Sequence, residues 1–135
     1  MDVTAIDKAL QEIIKTRLEL SKLDYSNPKY DDIEEKLHDL EDAFQEEYGD
    51  ELESVIQDIH DEYCPDTDVL VPVSYIAKVY TVDSKGEYSV APSEGVFVEM
   101  DDYPDQNTKI VILPNPVRVV LSIGEKQQVV WTAKS

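Results

Sequence analysis

The side chains of this sequence that could perform chemistry are mostly carboxylates, and they are concentrated in one stretch. Residues 31–62 hold fifteen acidic side chains and a single base, Lys36, so this stretch has a net charge of −14 out of −18 for the whole chain. Carboxylates at this density can supply oxygen ligands to a hard metal ion, or they can attract a positively charged surface. Both kinds of chemistry depend on how the chain spaces these residues.

A metal site is the first possibility. Glu35 and His38 are three residues apart, which places both on one face of a helix, and Asp31 and Asp32 lie about one turn before them. In di-iron bundles such a Glu-x-x-His motif occurs twice, together with two further glutamates. Here the motif occurs once, and Leu37 lies on the side of the helix that is expected to be buried. Asp31, Asp32, Glu35 and His38 are therefore only weak metal candidates, and we predict neither a metal site nor a bound cofactor.

Two further groups contain ligand-type side chains. His60 and Cys64 are four residues apart and could share a helix face, but Pro65 disrupts that turn and no third ligand is apparent. The loop of residues 101–107 is rich in oxygen atoms, yet it lacks the glycine and the terminal glutamate of a calcium-binding EF-hand loop. We therefore expect that Cys64 is an incidental or buried thiol and that residues 101–107 form a plain connecting loop.

Catalysis has little support in the sequence. Both histidines lie in the acidic stretch, and the chain has neither a Gly-x-Ser-x-Gly motif nor a glycine-rich phosphate-binding loop. The residues around Cys64 are acidic, which would raise the pKa of its thiol instead of activating it. We therefore predict a protein that is not an enzyme.

A surface that binds a positively charged partner is the second possibility for the carboxylates. Many of them lie four residues apart, so like charges meet one helical turn apart at a cost of roughly 0.2–0.5 kcal/mol per pair. A helix keeps such a face either because it is simply solvated and aids solubility, or because a basic protein surface docks there. The candidate partner-binding residues are Glu34, Asp39, Asp42, Glu46, Glu47 and Glu53.

The charge balance and the short apolar runs limit the classes of other partners that are expected. The chain has two arginines and no basic cluster, which argues against nucleic acid as a partner. Its start lacks a basic region followed by an apolar run, and its apolar runs are far shorter than the ~20 residues of a membrane helix. The lone Cys64 suits a reducing compartment. We expect a cytoplasmic protein that contacts neither nucleic acid nor membrane.

Two amphipathic helices are predicted to position the acidic residues. Residues 3–23 and residues 28–63 both have apolar side chains at steps of three and four. The short turn around residues 25–28 should bring them together as an antiparallel hairpin. Gly49 could break the second helix, but the apolar pattern runs through it, which favours a continuous or kinked helix.

Beyond residue 66 the apolar period changes to two, which is typical of strands. An antiparallel meander is expected, closed as a barrel or sandwich of about five to seven short strands. The sequence thus predicts an α+β fold, with an acidic helical hairpin at residues 1–66 and an all-β module at residues 67–135, packed together as one unit. The candidate strands are residues 69–73, 75–82, 87–90, 96–100, 109–113, 117–123 and 128–133.

A helical hairpin with acids near its tip, followed by a β-rich module, resembles the layout of Gre-type transcription cleavage factors. The tip here would carry Asp24, Asp31 and Asp32. The resemblance implies that two tip acids reach into RNA polymerase and help to hold magnesium. Two functions are therefore predicted: an adaptor that binds a basic partner and could form a homodimer through leftover apolar helix surface, or a Gre-like regulator.

Overall fold

The structure, a computed structural model, describes residues 1–134 and has two α helices followed by six short strands in that range. This confirms the predicted α+β class. Neither helix in the described range is long and apolar enough to cross a membrane. The elements are α1 (Val3–Ser21), α2 (Tyr30–Tyr63), a 3-10 helix (Pro72–Tyr75), β1 (Thr81–Val82), β2 (Tyr88–Ser89), β3 (Val96–Phe97), β4 (Thr108–Leu113), β5 (Arg118–Ile123) and β6 (Lys126–Thr132).

The two helices form an antiparallel hairpin. The end of α1 is joined to the start of α2 by residues 22–29, whereas the amino group of Met1 lies 3.9 Å from the carboxylate of Glu51 in the second half of α2. At the start of α1 the side chain of Asp2 accepts a hydrogen bond of 3.1 Å from the backbone N–H of Ala5. This N-cap satisfies a backbone donor that the helix itself leaves unpaired.

The second helix continues without a break through Gly49. A Cβ atom at Gly49 would collide with the side-chain amide of Gln45 one turn earlier. The missing side chain therefore makes room for Gln45, whose Oε1 atom is buried without a hydrogen-bond partner in the described part of the chain. The sequence favours a continuous or kinked helix at this point, and the helix is continuous.

One apolar core joins the hairpin to the larger sheet. The buried side chains of both helices pack in the same cluster as alternate residues of the strands, so the hairpin lies against one face of that sheet. The main contributors are Ile6, Leu10 and Ile13 from α1, Leu37, Phe44, Leu52, Ile56 and Ile59 from α2, and Val98, Ile110, Ile112, Val119 and Leu121 from the β region.

The strands form two antiparallel sheets, one of β1 and β2 and one with the order β3-β4-β5-β6. Strands β4 and β5 pair along their whole length, and the intervening residues on their other face form a second, smaller buried cluster that includes Val111, Leu113 and Val120. Among residues 1–134 the larger sheet is open, with β3 and β6 at its edges, so no closed barrel is found.

The strands predicted at residues 69–73 and 75–82 are wrong over most of their length. The first is irregular and leads into the 3-10 helix, and only Thr81–Val82 of the second is a strand. Pro72 opens the 3-10 helix, where its fixed φ and missing N–H are tolerated. The apolar residues that alternate in this segment contact the core singly. Ile76 forms one isolated β-bridge with Ile112.

The remaining predicted strands differ mainly in their limits. The candidates at residues 87–90 and 96–100 shrink to the two-residue strands β2 and β3. Two longer candidates, at residues 109–113 and 117–123, match β4 and β5 within one residue at either end. The last strand begins at Lys126, earlier than expected, because β5 and β6 are joined by a tight turn at Gly124.

A buried hydrogen-bond network holds the segment that follows α2. The side chain of His60 is buried, with Nδ1 2.9 Å from the carbonyl oxygen of Thr67 and Nε2 2.9 Å from the hydroxyl oxygen of Tyr75. The hydroxyl of Tyr75 also accepts a 3.1 Å hydrogen bond from the N–H of Leu70. A neutral imidazole that carries its proton on Nδ1 satisfies all of these groups, since Tyr75 then donates to Nε2.

The network predicts a stability cost for Tyr75→Phe. Loss of the hydroxyl leaves His60 Nε2 and the N–H of Leu70 without their partner, so the free energy of unfolding should fall by about 1–3 kcal/mol. Urea unfolding followed by circular dichroism measures this. The matched control is Tyr103→Phe, in an exposed loop, for which a change below about 0.5 kcal/mol is expected. Equal effects of the two variants would contradict a role for the network.

The packing around Gly49 predicts that Gly49→Ala stabilises the protein. Alanine raises helix propensity by roughly 0.5–1 kcal/mol, and the amide of Gln45 can turn outward, where water satisfies its unpaired oxygen. The free energy of unfolding should therefore rise. The background Gln45→Ala removes the obstructing amide and should show the full gain for the same substitution. A loss of stability in that background would show that the glycine is needed for another reason.

Candidate functional site

The carboxylates of α2 lie on the side of the helix that faces solvent. The opposite side is buried against α1 and the sheet, and the period of the helix turns the intervening positions outward. Two of the fifteen carboxylates, those of Glu34 and Glu41, are half-buried. The exposed ones are Asp31, Asp32, Glu35, Asp39, Asp42, Glu46, Glu47, Asp50, Glu51, Glu53, Asp58, Asp61 and Glu62.

Six of the exposed carboxylates form one continuous line along the helix, which we call the outer row. Its members follow one another at steps of three or four residues, so neighbours in the row lie one helical turn apart, with roughly 5–6 Å between Cβ atoms. From its first to its last residue the row extends about 27 Å along the helix axis. The outer row consists of Glu35, Asp39, Asp42, Glu46, Asp50 and Glu53.

The structure brings together four of the six residues predicted to bind a partner, namely Asp39, Asp42, Glu46 and Glu53, all within the outer row. The other two lie on the flanks of α2. Glu34 is half-buried. Glu47 is exposed, but it adjoins Tyr48, whose pKa is raised by burial and, to a smaller extent, by a hydrogen bond and the charge of Glu47.

Cations reach α2 mainly on the side that faces α1. Arg17 of α1 contacts the carboxylate of Glu41, with Nη2 3.2 Å from Oε1, and the N-terminal amino group lies near Glu51. Lys36, the one base in the acidic stretch, reaches 3.7 Å across to Glu12 of α1. In the part of the chain that the structure describes, no ion pair involves a residue of the outer row.

Arg17 and Glu41 are structurally important residues that no local pattern in the sequence indicates. Besides pairing with Glu41, Arg17 donates from Nη1 to the carbonyl oxygens of Ile76 and Ala77, both at 3.2 Å. The pair therefore joins α1, α2 and the segment after the 3-10 helix. The signal in the sequence is weak, because Arg17 and Glu41 are separated by 24 positions.

The weak metal candidates are spread over the exposed surface of α2. Asp31 and Asp32 lie in its first turn, where a negative charge suits the helix dipole, and Glu35 belongs to the outer row. His38 is exposed as well. Within residues 1–134 no three His, Cys, Asp or Glu side chains are grouped in a way that could hold a metal ion.

The remaining ligand-type residues are accounted for by packing. Cys64 is buried, and burial raises the pKa of its thiol to about 11, which leaves it protonated at neutral pH. His60 is engaged with Thr67 and Tyr75 on both ring nitrogens. Residues 101–107 form an exposed loop. The exposed outer row is thus the most distinctive chemical feature of the two helices.

Comparison of the chain with protein-family models, with curated proteins and with solved structures finds no match.

Proposed function

We propose that this protein is a non-catalytic cytoplasmic interaction protein that binds a basic protein surface through the outer row of α2. The observation that carries the proposal is a line of six exposed carboxylates without a cation within ion-pairing distance in the described residues. Neighbouring carboxylates in this row repel each other. No ion pair in the described residues offsets this repulsion, although cations contact the other flank of α2.

The geometry of the row suits a partner that presents its own line of positive charges. Lysines or arginines at helical spacing would match the row, whose neighbours are roughly one turn apart. A strip of this kind is too narrow to give high affinity from buried area alone. Complementary charge instead speeds the encounter of the two proteins and fixes their alignment, and the effect weakens as salt screens it over a Debye length of about 8–10 Å.

Replacing carboxylates in the row by amides tests the proposal. The variant carries Asp39→Asn, Asp42→Asn, Glu46→Gln and Glu53→Gln, and the probe is a fluorescent helical peptide with lysines at every third or fourth position. We expect about a tenfold loss of affinity at low salt, which corresponds to roughly 1.4 kcal/mol, and a much smaller difference at high salt. Fluorescence anisotropy measures both.

The matched control removes the same number of charges from loops of the β region, where the carboxylates are also exposed. It carries Asp101→Asn, Asp102→Asn, Asp105→Asn and Glu125→Gln. If both variants lose affinity equally, the probe responds to net charge alone and the proposal fails. The row variant should also unfold at higher urea concentration than the natural sequence, because like-charge repulsion is relieved, so a loss of binding cannot be ascribed to unfolding.

The Gre-like regulator is the second candidate, and it is supported by the exposure of Asp24, Asp31 and Asp32 at the tip of the hairpin. The pair Asp31→Ala and Asp32→Ala separates the two functions. A regulator that presents metal-binding acids at its tip loses its effect on RNA polymerase with these changes alone. An adaptor that uses the outer row keeps its affinity for the lysine peptide nearly unchanged.

A further inference from the structure

A groove runs along the side of α1 and is closed on its other side by residues 77–88. Its volume is about 560 Å³. A second cavity of about 650 Å³ at the tip of the hairpin adjoins it, with Arg17, Ser21 and Lys78 lining both. The groove follows α1 from Thr4 to Ser21, which is about 26 Å of helix.

The groove has an unusually exposed apolar lining. Leu18, Val79 and Val82 are 56%, 66% and 49% exposed, and all three line it. Ile14 and Tyr80 add partly buried apolar surface. Scattered apolar residues are normal on a protein surface, but a contiguous group within a groove is characteristic of a binding site.

The charges that remain free in this groove are mainly positive, although the chain as a whole is strongly acidic. Lys8, Lys15 and Lys78 line the groove, and none of them has an ion pair in the described residues. Arg17 is neutralised by Glu41.

The acidic side chains of the lining are fewer than the cations; Glu12 is ion-paired, whereas Asp7 and Asp24 keep their charge and are held by hydrogen bonds. Glu12 lies 3.7 Å from Lys36 of α2. Asp7 accepts hydrogen bonds from the N–H of Asn115 at 2.6 Å and from the amide of Gln11 at 2.8 Å. Asp24, at the tip, accepts from the hydroxyl of Ser26. The groove therefore offers an apolar floor with free ammonium groups at its rim.

We propose that this groove binds an acidic amphipathic helix of a partner protein. The apolar floor would take the apolar face of such a helix, and the lysines would pair with carboxylates beside that face. A length of about 26 Å corresponds to roughly seventeen helical residues, so the occupant is a segment of a protein chain. The site uses α1 and a positive rim, and it is independent of the outer row of α2.

A second copy of this chain is a poor occupant. Two molecules with a net charge of −18 each repel one another. The acidic helix that another copy would offer is α2, and its apolar side is already buried in its own core.

The test uses an eighteen-residue peptide of leucine at helical spacing with glutamate elsewhere, and a scrambled peptide of the same composition. We expect the amphipathic peptide to bind more tightly than the scrambled one, measured by fluorescence anisotropy. Net charge opposes this binding, so affinity requires a local positive site. Lys15→Glu with Lys78→Glu should weaken it by about tenfold, and Leu18→Glu should weaken it similarly.

The matched control is Lys85→Glu with Lys126→Glu, which changes the net charge equally at exposed lysines outside the groove and should alter affinity less than about twofold. Equal losses in the control and groove variants, or equal binding of the scrambled peptide, would overturn the proposal. Sedimentation equilibrium supplies one more outcome: a dimer that disappears in Leu18→Glu would assign the groove to a second copy and also overturn it.

Discussion

The structure depends on one constraint, which is that α2 must bury an apolar stripe while it carries nearly all of the net negative charge of the chain. Burial of residues such as Phe44, Leu52 and Ile56 against α1 and the sheet is favourable, whereas the carboxylates on the other side repel each other. The fold resolves this conflict by geometry. The apolar stripe faces the core, and the few nearby cations come from α1 and the chain terminus.

The junction of the hairpin with the β region is held by directed polar contacts as well as by the core. Arg17 bonds to Glu41 and to two carbonyl groups after the 3-10 helix. A few residues further, the hydroxyl of Tyr80 accepts from the N–H of Ala77 at 2.9 Å and donates to the carbonyl of Ile112 at 2.6 Å. Burial accordingly raises the pKa of Tyr80. These bonds hold residues 77–80, which form no β pairing.

The helices and the longer strands could be predicted, because each has a regular spacing of apolar residues along its own sequence. The apolar period of α2 and the concentration of apolar residues around Val119 and Leu121 in β5 predict those elements directly. The segment from 69 to 82 has a similar alternation but little sheet structure, because its residues bond to Arg17, His60 and Ile112, which are distant in the sequence. Such long-range bonds leave no mark on local spacing.

The same distinction applies to the candidate surfaces. The outer row could be predicted in part, because its spacing along one helix is local, although the partial burial of Glu34 was not foreseeable without its neighbours. The groove beside α1 could not be predicted. It exists only because the fold brings Val79 and Lys78 next to Leu18, which lies about sixty positions earlier in the chain.

The exposed carboxylates of α2 also give the helix the character of a charged rod. Residues 31–62 extend about 48 Å, so their net charge of −14 amounts to one charge per about 3.4 Å, similar to the phosphate spacing along one strand of a nucleic-acid duplex. Mobile cations must gather along such a rod. A basic partner that covers it returns those ions to the solution, and the entropy of their release then becomes part of the driving force for association.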